Sequence, residues 1–409
     1  MCSRPHAGVK NRVIFIPFFY QLVLLQTGNL SHGCESVDLS KVKIDVKKVV
    51  LDSGAVVAGV GSRDRLAMAP PSADMDYCLK GAQSCIIWAY AVPFEVLKNY
   101  FGKVERVSMK KFSYYAYTTG WATAERIARY IEDNSAFKAL PVAPNGVYRG
   151  AGGKNVSVNH VLDTERAVPP FSLRYGAVAA GLGHLGWSGN IVTEKYGGSL
   201  FLAGVLTTAP FEPDLMATVN HCNKCKLCTQ VCTTGFFSQI ESEPPVIIGG
   251  VPQVYSRRNA QLRCAIGCAG FTGLSRDGRW STWTPGHVCL ARLPERRMTG
   301  RYAKYRIMLP KFFSPLVPAV QRRFNKNIRD GFRLAGEIAN FGLLPLDKIS
   351  PRCGLCSLVC VADPRQRREL FELLRSSGKV YLDGQGREVV RKVDASGRTT
   401  EYVPPQEQH

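Results

Sequence analysis

CNKCKLCTQVC, residues 222–232, places four cysteines at the spacing Cys-x2-Cys-x2-Cys-x3-Cys. This is the spacing of bacterial ferredoxins, in which three cysteines bind one [4Fe–4S] cluster and the fourth binds a second cluster. Gaps of two residues let the backbone fold around one corner of a cubane while successive thiolates point inward. A structural zinc site needs only one tetrahedral set of ligands and usually shows two separated CxxC pairs. The motif therefore predicts iron–sulfur clusters held by a ferredoxin-like domain.

A second cysteine run, CGLCSLVC at residues 353–360, has three cysteines where a complete motif has four. Because the last cysteine of each motif crosses to the other cluster, the two runs predict how the ligands divide. The first cluster is expected to use Cys222, Cys225, Cys228 and Cys360. The second is expected to use Cys232, Cys353 and Cys356 with one cysteine from the segment between the runs. Cys264 is the preferred eighth ligand, with Cys268 second and Cys289 as a further alternative, and a buried free cysteine is the structural alternative for each.

The composition limits the class of protein. The chain has 409 residues, of which 45% are apolar and 21% are charged, as in a soluble globular protein. Ten of its 14 cysteines lie between Cys222 and Cys360, and such closely spaced cysteines in a long chain do not suit a secreted disulfide scaffold. Lys and Arg number 53 against 32 Asp and Glu, a net charge of +21 that favours anionic partners.

A large α/β or α+β domain is expected at residues 41–215, because short β-rich runs alternate there with helical stretches. Strands are predicted from KVKIDVKKVVL (41–51), CIIWAYAV (85–92) and SLFLAGVLTT (199–208). A packing helix is predicted at 120–133, where apolar residues recur at helical spacing.

The remaining segments carry weaker signals. The ferredoxin-like domain is expected at 216–365, followed by a polar C-terminal tail at 366–409, within which residues 379–409 resemble a polar hairpin and tail. Residues 1–40 are uncertain, since the apolar run at 13–25 resembles the core of a signal peptide but is short for a membrane span. A mistaken upstream start or a buried first element is favoured over secretion, so we expect a cytoplasmic protein without a membrane span.

An insertion rich in Arg and Lys occupies residues 292–333, with aromatic residues such as Tyr305 and Phe312 between the charges. Basic and aromatic residues interleaved in this way suit a surface that contacts RNA or lipid. Most charged runs are solvated faces, and that alternative stays open. The insertion is therefore a candidate RNA contact.

Glycine is concentrated in RYGAVAAGLGHLGWSGN, residues 174–190. Gly181, Gly183, Gly186 and Gly189 allow positive φ or the close approach of a flat ligand to the backbone. The stretch follows a helical pattern and not a strand, which disfavours a dinucleotide-binding fingerprint. Both a turn and a cofactor loop are consistent with it.

The order of these motifs resembles the superfamily that contains the epoxyqueuosine reductases and the reductive dehalogenases. The segment AAGLGHLGWSGNIVTEKYGGSLFLAGVLTTAPFEPD (179–214) is followed closely by the first cysteine motif and later by the second. The resemblance spans roughly residues 110–235 and 350–362. Arg263-Cys264-Ala265 is similar to an Arg-Cys-Ile pattern around the lone cluster cysteine of epoxyqueuosine reductases.

This resemblance implies a fold and a set of cofactors. Members of the superfamily join a nitroreductase-like α/β domain that binds cobalamin to a ferredoxin-like domain with two [4Fe–4S] clusters, which pass electrons to the cobalt. The cofactor-binding residues implied here are Gly181, Gly183, His184, Gly186, Gly189 and Thr207. A structural histidine is the alternative for His184.

The resemblance also bears on the proton donor. Where epoxyqueuosine reductases have an acidic residue, this chain has Ala167, and Asp163 nearby is one candidate donor. Trp187 stands where that family has lysine, which disfavours reduction of a tRNA base. Reductive dehalogenases use a tyrosine, and Tyr175 is the corresponding candidate, with a packed core tyrosine as the alternative.

The leading hypothesis is a cobalamin-dependent iron–sulfur oxidoreductase that acts on an organic small molecule or a modified nucleoside with a low-potential electron donor. Its chemistry would resemble reductive dehalogenation or epoxyqueuosine reduction. The alternative is a [4Fe–4S] electron-transfer protein or subunit without cobalamin. Cobalt binding separates the two hypotheses.

Overall fold

The computed structural model describes residues 37–144, 147–149, 155–157, 168–268, 270–295, 352–394 and 396–406. The described residues from Asp38 onward belong to one compact unit. Asp163, Ala167 and most of the predicted insertion at 292–333 lie outside the described residues. Nearly all of the uncertain segment 1–40 lies outside them as well.

Two of the longer helices begin at side-chain caps. Asp38 accepts hydrogen bonds from the backbone N–H groups of Ser40 and Lys41, and Asp363 accepts one from Arg365. The helices are α1 (Leu39–Asp52), α2 (Arg63–Leu66), α3 (Phe94–Phe101), α4 (Val107–Asp133), α5 (Leu173–Ala179), α6 (Leu227–Gln230), α7 (Gln261–Cys268), α8 (Leu355–Leu358) and α9 (Pro364–Ser376). Within the described residues, none is long and apolar enough to cross a membrane.

The predicted strand at residues 41–51 is wrong, because this segment is helix α1. Its buried residues are Val42, Val46 and Val50, which recur every four positions and form one helical stripe. The valines suggested a strand because β-branched residues favour extended backbone. The four-residue spacing of the valines and the N-terminal cap by Asp38 favour the helix.

The strands form one central sheet and several small ones. They are β1 (Val57–Ser62), β2 (Ser84–Ala91), β3 (Ala139–Pro141), β4 (Val147–Arg149), β5 (Asn155–Ser157), β6 (His184–Leu185), β7 (Ile191–Val192), β8 (Leu200–Thr207), β9 (Phe237–Glu241), β10 (Val246–Ile248), β11 (Val251–Gln253), β12 (Ser256–Arg258), β13 (Lys379–Leu382), β14 (Glu388–Val393) and β15 (Thr399–Tyr402). The central sheet has the order β1-β2-β8-β3, and its neighbouring strands are antiparallel.

Strand β2 lies between two layers of helix. Ile86, Trp88 and Tyr90 pack in the same apolar cluster as residues of α4, whereas Cys85 and Ile87 pack with residues of α5. This alternation is that of a strand buried on both faces. The predicted strands in β2 and β8 and the predicted helix in the second half of α4 are confirmed, as is the mixed α/β class.

The C-terminal residues, for which the sequence predicts a polar hairpin and tail, contain α9 and the three-stranded sheet β13-β14-β15. Leu370 and Leu374 of α9 and Val380 and Val390 of the sheet are buried in one apolar cluster. Leu355, just after the first cysteine of the second run, belongs to the same cluster. The end of the chain therefore supports the second cysteine run.

Candidate functional site

Four cysteines from two distant parts of the chain line one small cavity, which is partly open to solvent. The lining includes Cys222, Cys225, Cys228 and Cys360, together with Trp187 and Arg367. We call these four cysteines the first cysteine group. They are the set expected for the first cluster, and the structure brings them together, whereas their binding of a cluster stays a prediction.

The first motif curls tightly before helix α6. Asn220 Oδ1 accepts the backbone N–H of Cys222 at 2.9 Å, and Asn223 Oδ1 accepts that of Cys225 at 3.3 Å. Lys226 adopts a left-handed backbone with φ of 58° at the start of the helix. Because Asn side chains stabilise such turns, they let closely spaced cysteines reach one cavity.

Cys360 reaches the same cavity through close backbone contacts. The Gly198 N–H donates to the Cys360 carbonyl oxygen at 2.5 Å, and Ser357 Oγ donates to the Gly198 carbonyl oxygen at 2.5 Å. Gly197 has φ of 63°, and a Cβ there would lie 2.1 Å from the Cys360 carbonyl oxygen. Glycine at position 197 is therefore required for this approach.

Two nitrogen donors contact sulfur atoms of the first cysteine group. The backbone N–H of Trp187 donates to Cys222 Sγ at 3.2 Å, and Arg367 Nη1 lies 3.7 Å from Cys225 Sγ. A Cβ on Gly186 would lie 2.6 Å from Val192 Cγ2, and it would be in ordinary contact with Cys222 Sγ at 3.5 Å. Hydrogen bonds to sulfur are one way in which a protein tunes a bound cluster.

Two thiols of this group, Cys228 and Cys360, do not favour ionisation by themselves. Burial, together with a smaller effect of the neighbouring cysteines, raises the pKa of Cys228 to about 12. Burial also raises the pKa of Cys360 to about 11, against the opposing effect of Arg367. Thiolates become stable in such a place when a metal centre neutralises them.

Cys232, Cys264, Cys268, Cys353 and Cys356 form a second cysteine group. Burial raises the pKa of Cys356 well above its usual value, and Cys264, Cys353 and Cys232 add to that effect in decreasing order. The Sγ atoms of Cys264 and Cys268 are 3.7 Å apart, and Cys268 also contacts Cys353. Cys268 therefore contacts both Cys264 and Cys353, and Cys232 and Cys356 lie near enough to interact with these thiols electrostatically.

Helix α7 carries two cysteines that could each supply the eighth cluster ligand. Cys264 and Cys268 are four residues apart and lie on the same helical face. A hydrogen bond with Cys268 holds the pKa of Cys353 at about 7. Cys289, the third candidate, lies at the start of the short 3-10 turn Leu290–Arg292.

Arg263 fixes helix α7 beside the first motif. Its Nε donates to Glu295 at 2.8 Å, and its Nη1 donates to the carbonyl oxygens of Thr234 at 3.0 Å and Leu290 at 2.7 Å. Thr234 follows the last cysteine of the first motif by two residues. The neighbour of Cys264 thus holds that cysteine close to Cys232.

A buried ion network supports Cys353. Arg352 Nη1 lies 2.7 Å from Glu388 Oε1, and Arg106 Nε lies 2.8 Å from Glu388 Oε2. Tyr100 donates its hydroxyl to the Cys353 carbonyl oxygen at 3.0 Å. The residue before Cys353 and its own carbonyl are therefore both fixed from other parts of the fold.

The two groups are not arranged like ligands of a single ion. A zinc ion binds thiolates at about 2.3 Å, which brings their sulfur atoms to within about 4 Å of one another. Within the part of the chain that the structure describes, no three His, Cys, Asp or Glu side chains form such a set. The first group instead surrounds a cavity.

The glycine stretch packs against the protein itself. A Cβ on Gly181 would lie 2.0 Å from the Leu215 carbonyl oxygen, and one on Gly183 would lie 2.2 Å from that of Val192. A Cβ on Gly189 would lie 2.2 Å from Arg258 Nη2. These close approaches account for the glycines without a ligand, and contact with cobalamin stays a prediction.

His184 and Thr207 also have partners within the protein. His184 Nε2 lies 2.9 Å from the Ala217 carbonyl oxygen, and its Nδ1 lies 3.2 Å from Gln253 Nε2. Thr207 donates to the Lys138 carbonyl oxygen at 2.8 Å. Both side chains are buried and stabilise local structure. For His184, this is the structural role that the sequence left open as the alternative to cofactor binding.

Tyr175, the candidate proton donor, is partly buried beside Tyr255. Burial raises the pKa of Tyr175 to about 12, and Tyr255 adds to this effect through its charge and a hydrogen bond. Arg174 and Arg258 oppose the shift. No sequence motif marks Tyr255 or Arg258, so sequence reasoning missed both; Asp163, the other candidate, lies outside the described residues.

Arg367 is a further residue that sequence reasoning missed. It lies on the buried face of α9, three and seven residues before Leu370 and Leu374, which are buried too. That spacing is the signal that could have found it, because a helical position in line with buried leucines faces the interior.

Fold and site together define a mixed α/β protein in which two groups of cysteines gather. No protein-family model matches the chain. An epoxyqueuosine reductase of Listeria monocytogenes is 37% identical over 59 residues, which is 14% of this chain and 15% of that protein. An epoxyqueuosine reductase of Synechococcus sp. is 24% identical over 197 residues, which is 47% of this chain and 60% of that protein.

Parts of the chain are thus similar to epoxyqueuosine reductases, as the resemblance seen in the sequence predicts. The matches span less than two thirds of the length of either relative. Among solved structures, a reductive dehalogenase superposes with a TM-score of 0.42 and 13% identity, covering 79% of this chain and 41% of that one. Similarity of this extent does not establish a shared activity.

Proposed function

We propose that the chain is an iron–sulfur oxidoreductase that holds one [4Fe–4S] cluster in each cysteine group. The observation that carries this proposal is the convergence of Cys360 on the three cysteines of the first motif around one cavity. That convergence is the crossing of ligands on which two-cluster ferredoxins depend. When bound, such clusters transfer single electrons at low potential.

The residues of both groups fit this role. Trp187 and Arg367 present N–H donors to sulfur atoms of the first group, and Phe236 donates its backbone N–H to Cys232 Sγ at 3.3 Å. Cys232 follows Cys228 by four residues, so one short segment of chain contributes to both groups. This short segment would therefore link the two proposed clusters.

The domain assignment is part of the proposal. Residues 41–215 would be the nitroreductase-like domain, 216–365 the ferredoxin-like domain with its insertion, and 366–409 the C-terminal segment. Support comes from the sheet with helices on both faces in the first range and from the cysteine groups in the second. A cytoplasmic location stays a prediction.

The reaction would be a reduction or reductive cleavage of an organic small molecule or a modified nucleoside, with electrons from a low-potential donor. Tyr175 would supply the proton, since a phenol with a pKa of about 12 keeps its proton at neutral pH until a strongly basic centre forms nearby. Tyr255 would hydrogen-bond to it and hold its orientation.

Cobalamin belongs to the proposal through the relationship with epoxyqueuosine reductases. The six residues nominated for it do not form a cradle within the described part of the chain, because the glycines approach protein atoms closely and His184 and Thr207 are hydrogen-bonded.

The close packing of the glycine stretch favours a second candidate function, an electron-transfer protein or subunit without cobalamin. Both candidate functions require the two clusters, but only the reductase would bind the cobalt of a cobalamin. The test is anaerobic reconstitution of the full chain with iron, sulfide and a cobalamin, followed by gel filtration and metal analysis. About eight irons with one cobalt support the reductase, and about eight irons without cobalt support the carrier. Loss of all iron contradicts both.

A further inference from the structure

Arg367 is a buried cation in the lining of the cavity that the first cysteine group surrounds. Arg367 is only 4% exposed, and hydrogen bonds hold its guanidinium in a fixed orientation. Nε donates to the Val361 carbonyl oxygen at 2.8 Å, and Nη2 donates to that of Ala362 at 2.9 Å. Nη1 donates to Asn223 Oδ1 at 3.1 Å and lies 3.7 Å from Cys225 Sγ.

These oxygen acceptors are neutral, which separates Arg367 from two other buried arginines near the cysteines, Arg263 and Arg352. Arg263 forms an ion pair with Glu295, and Arg352 forms one with Glu388. Among the described residues, no carboxylate oxygen lies within 4.0 Å of the Arg367 guanidinium. A buried charge needs a counter-charge, and the groups left to supply it are the sulfur atoms around the cavity.

We propose that Arg367 supplies the counter-charge of the cluster in the first cysteine group and so raises its reduction potential. This inference rests on the proposed function. One electron from the low-potential donor makes a thiolate-bound cluster more negative by one charge, and a fixed cation beside it stabilises that reduced form. Net charge and hydrogen bonds to sulfur are two of the factors that set cluster potentials.

A purely structural role is the competing explanation, because Arg367 also ties α9 to the carbonyl groups after Cys360. Charge and structure are separated by comparing R367M, which removes the cation, with R367K, which keeps it. Arg368 is the matched control, since it is the next residue of the same helix and is exposed. R368M removes the same charge where solvent screens it.

The first measurement is the midpoint potential of the cluster in the first cysteine group of the reconstituted full chain. Electron paramagnetic resonance monitors this cluster during stepwise reduction. R367M is expected to shift the midpoint to more negative values by about 59 mV, the equivalent of a tenfold loss of reduced cluster for a one-electron couple. R367K should keep most of the wild-type potential, and R368M should keep all of it. An iron-loaded R367M with the wild-type potential overturns the inference.

The second measurement compares thermal unfolding with and without iron. Loss of a counter-charge should lower the midpoint temperature of R367M mainly in the iron-loaded protein, since the cluster-free protein leaves that cation uncompensated. Equal losses in both forms would mean that Arg367 is only structural. If the wild type itself takes up no iron, the proposed function fails and this inference falls with it.

Discussion

The two cysteine groups differ in how much of their construction lies in local sequence. The first uses a compact motif and one cysteine that crosses from the second run, held by contacts between Gly198 and Cys360. The second needs a helix from a third segment of chain, α7, and a buried ion network around Glu388. Motif spacing therefore defines the first group completely and the second only in part.

The largest expected effect concerns the choice of the eighth ligand. C264S should lower the iron content after reconstitution from about eight to about four atoms per chain, because the second cluster loses a ligand. C268S should keep most of its iron, since Cys268 lies beside the set without belonging to it. C289S is the matched control and should keep all of it. Full iron in C264S with loss in C268S would reverse the assignment.

The support of the second group should be sensitive to Glu388. E388Q leaves two buried arginines without their carboxylate, and breaking a buried pair in this way typically destabilises a protein by about 3–5 kcal/mol. The free energy of unfolding from urea titration of the full chain measures it. E401Q breaks the exposed pair with Arg391 and should change stability by at most about 1 kcal/mol. Similar values for both variants would contradict a special role for the network.

The first group should be sensitive to its glycine contact. G197A places a methyl group against the Cys360 carbonyl in a left-handed backbone, so strain of about 1–2 kcal/mol adds to an overlap of about 1–3 kcal/mol. We expect lower stability and reduced filling of the first cluster. G250A is the matched control, because Gly250 has φ of 76° and no atom lies within 4 Å of the place its added methyl group would take. Equal losses of iron in the two variants would show that the contact with Cys360 is unimportant.

The smallest expected effect is a dependence on pH. Burial alone would raise the pKa of Glu388, but Arg106 and Arg352 lower it below its usual value. A carboxyl whose pKa is lower in the folded state stabilises the protein above the unfolded pKa, about 4.3, and loses this contribution as pH falls through the folded value. Stability of the wild type should therefore fall more steeply in acid than that of E388Q. Parallel curves would exclude a contribution from this group.

The convergence of Cys360 on the first motif could be predicted because thiolate spacing is set by cluster geometry and needs no knowledge of the fold. Strands β2 and β8 were predictable from continuous apolar runs, and the second half of α4 from its helical periodicity. Helix α1 was mistaken for a strand because its valines were weighed above their four-residue spacing.

Arg367 and Glu388 escaped prediction for a different reason. Each is a charged residue, and charged residues are usually exposed. Helical spacing with Leu370 and Leu374 places Arg367 on the buried face but does not reveal what it contacts, and no local pattern marks Glu388 as buried. Their roles depend on partners far along the chain, such as Cys225 for Arg367 and Arg106 for Glu388. The glycine stretch shows the reverse case, in which a conspicuous pattern is accounted for by the packing of the chain itself.

The central claim is that Cys360 completes the cluster of the first motif. Its most direct test is the iron and sulfide content of C360S after anaerobic reconstitution, beside C78S, which removes a cysteine outside both groups. The account predicts about four irons for C360S and about eight for C78S, with the second cluster retained in both. Full iron in C360S would contradict the crossing of ligands and, with it, the proposed arrangement of the two clusters.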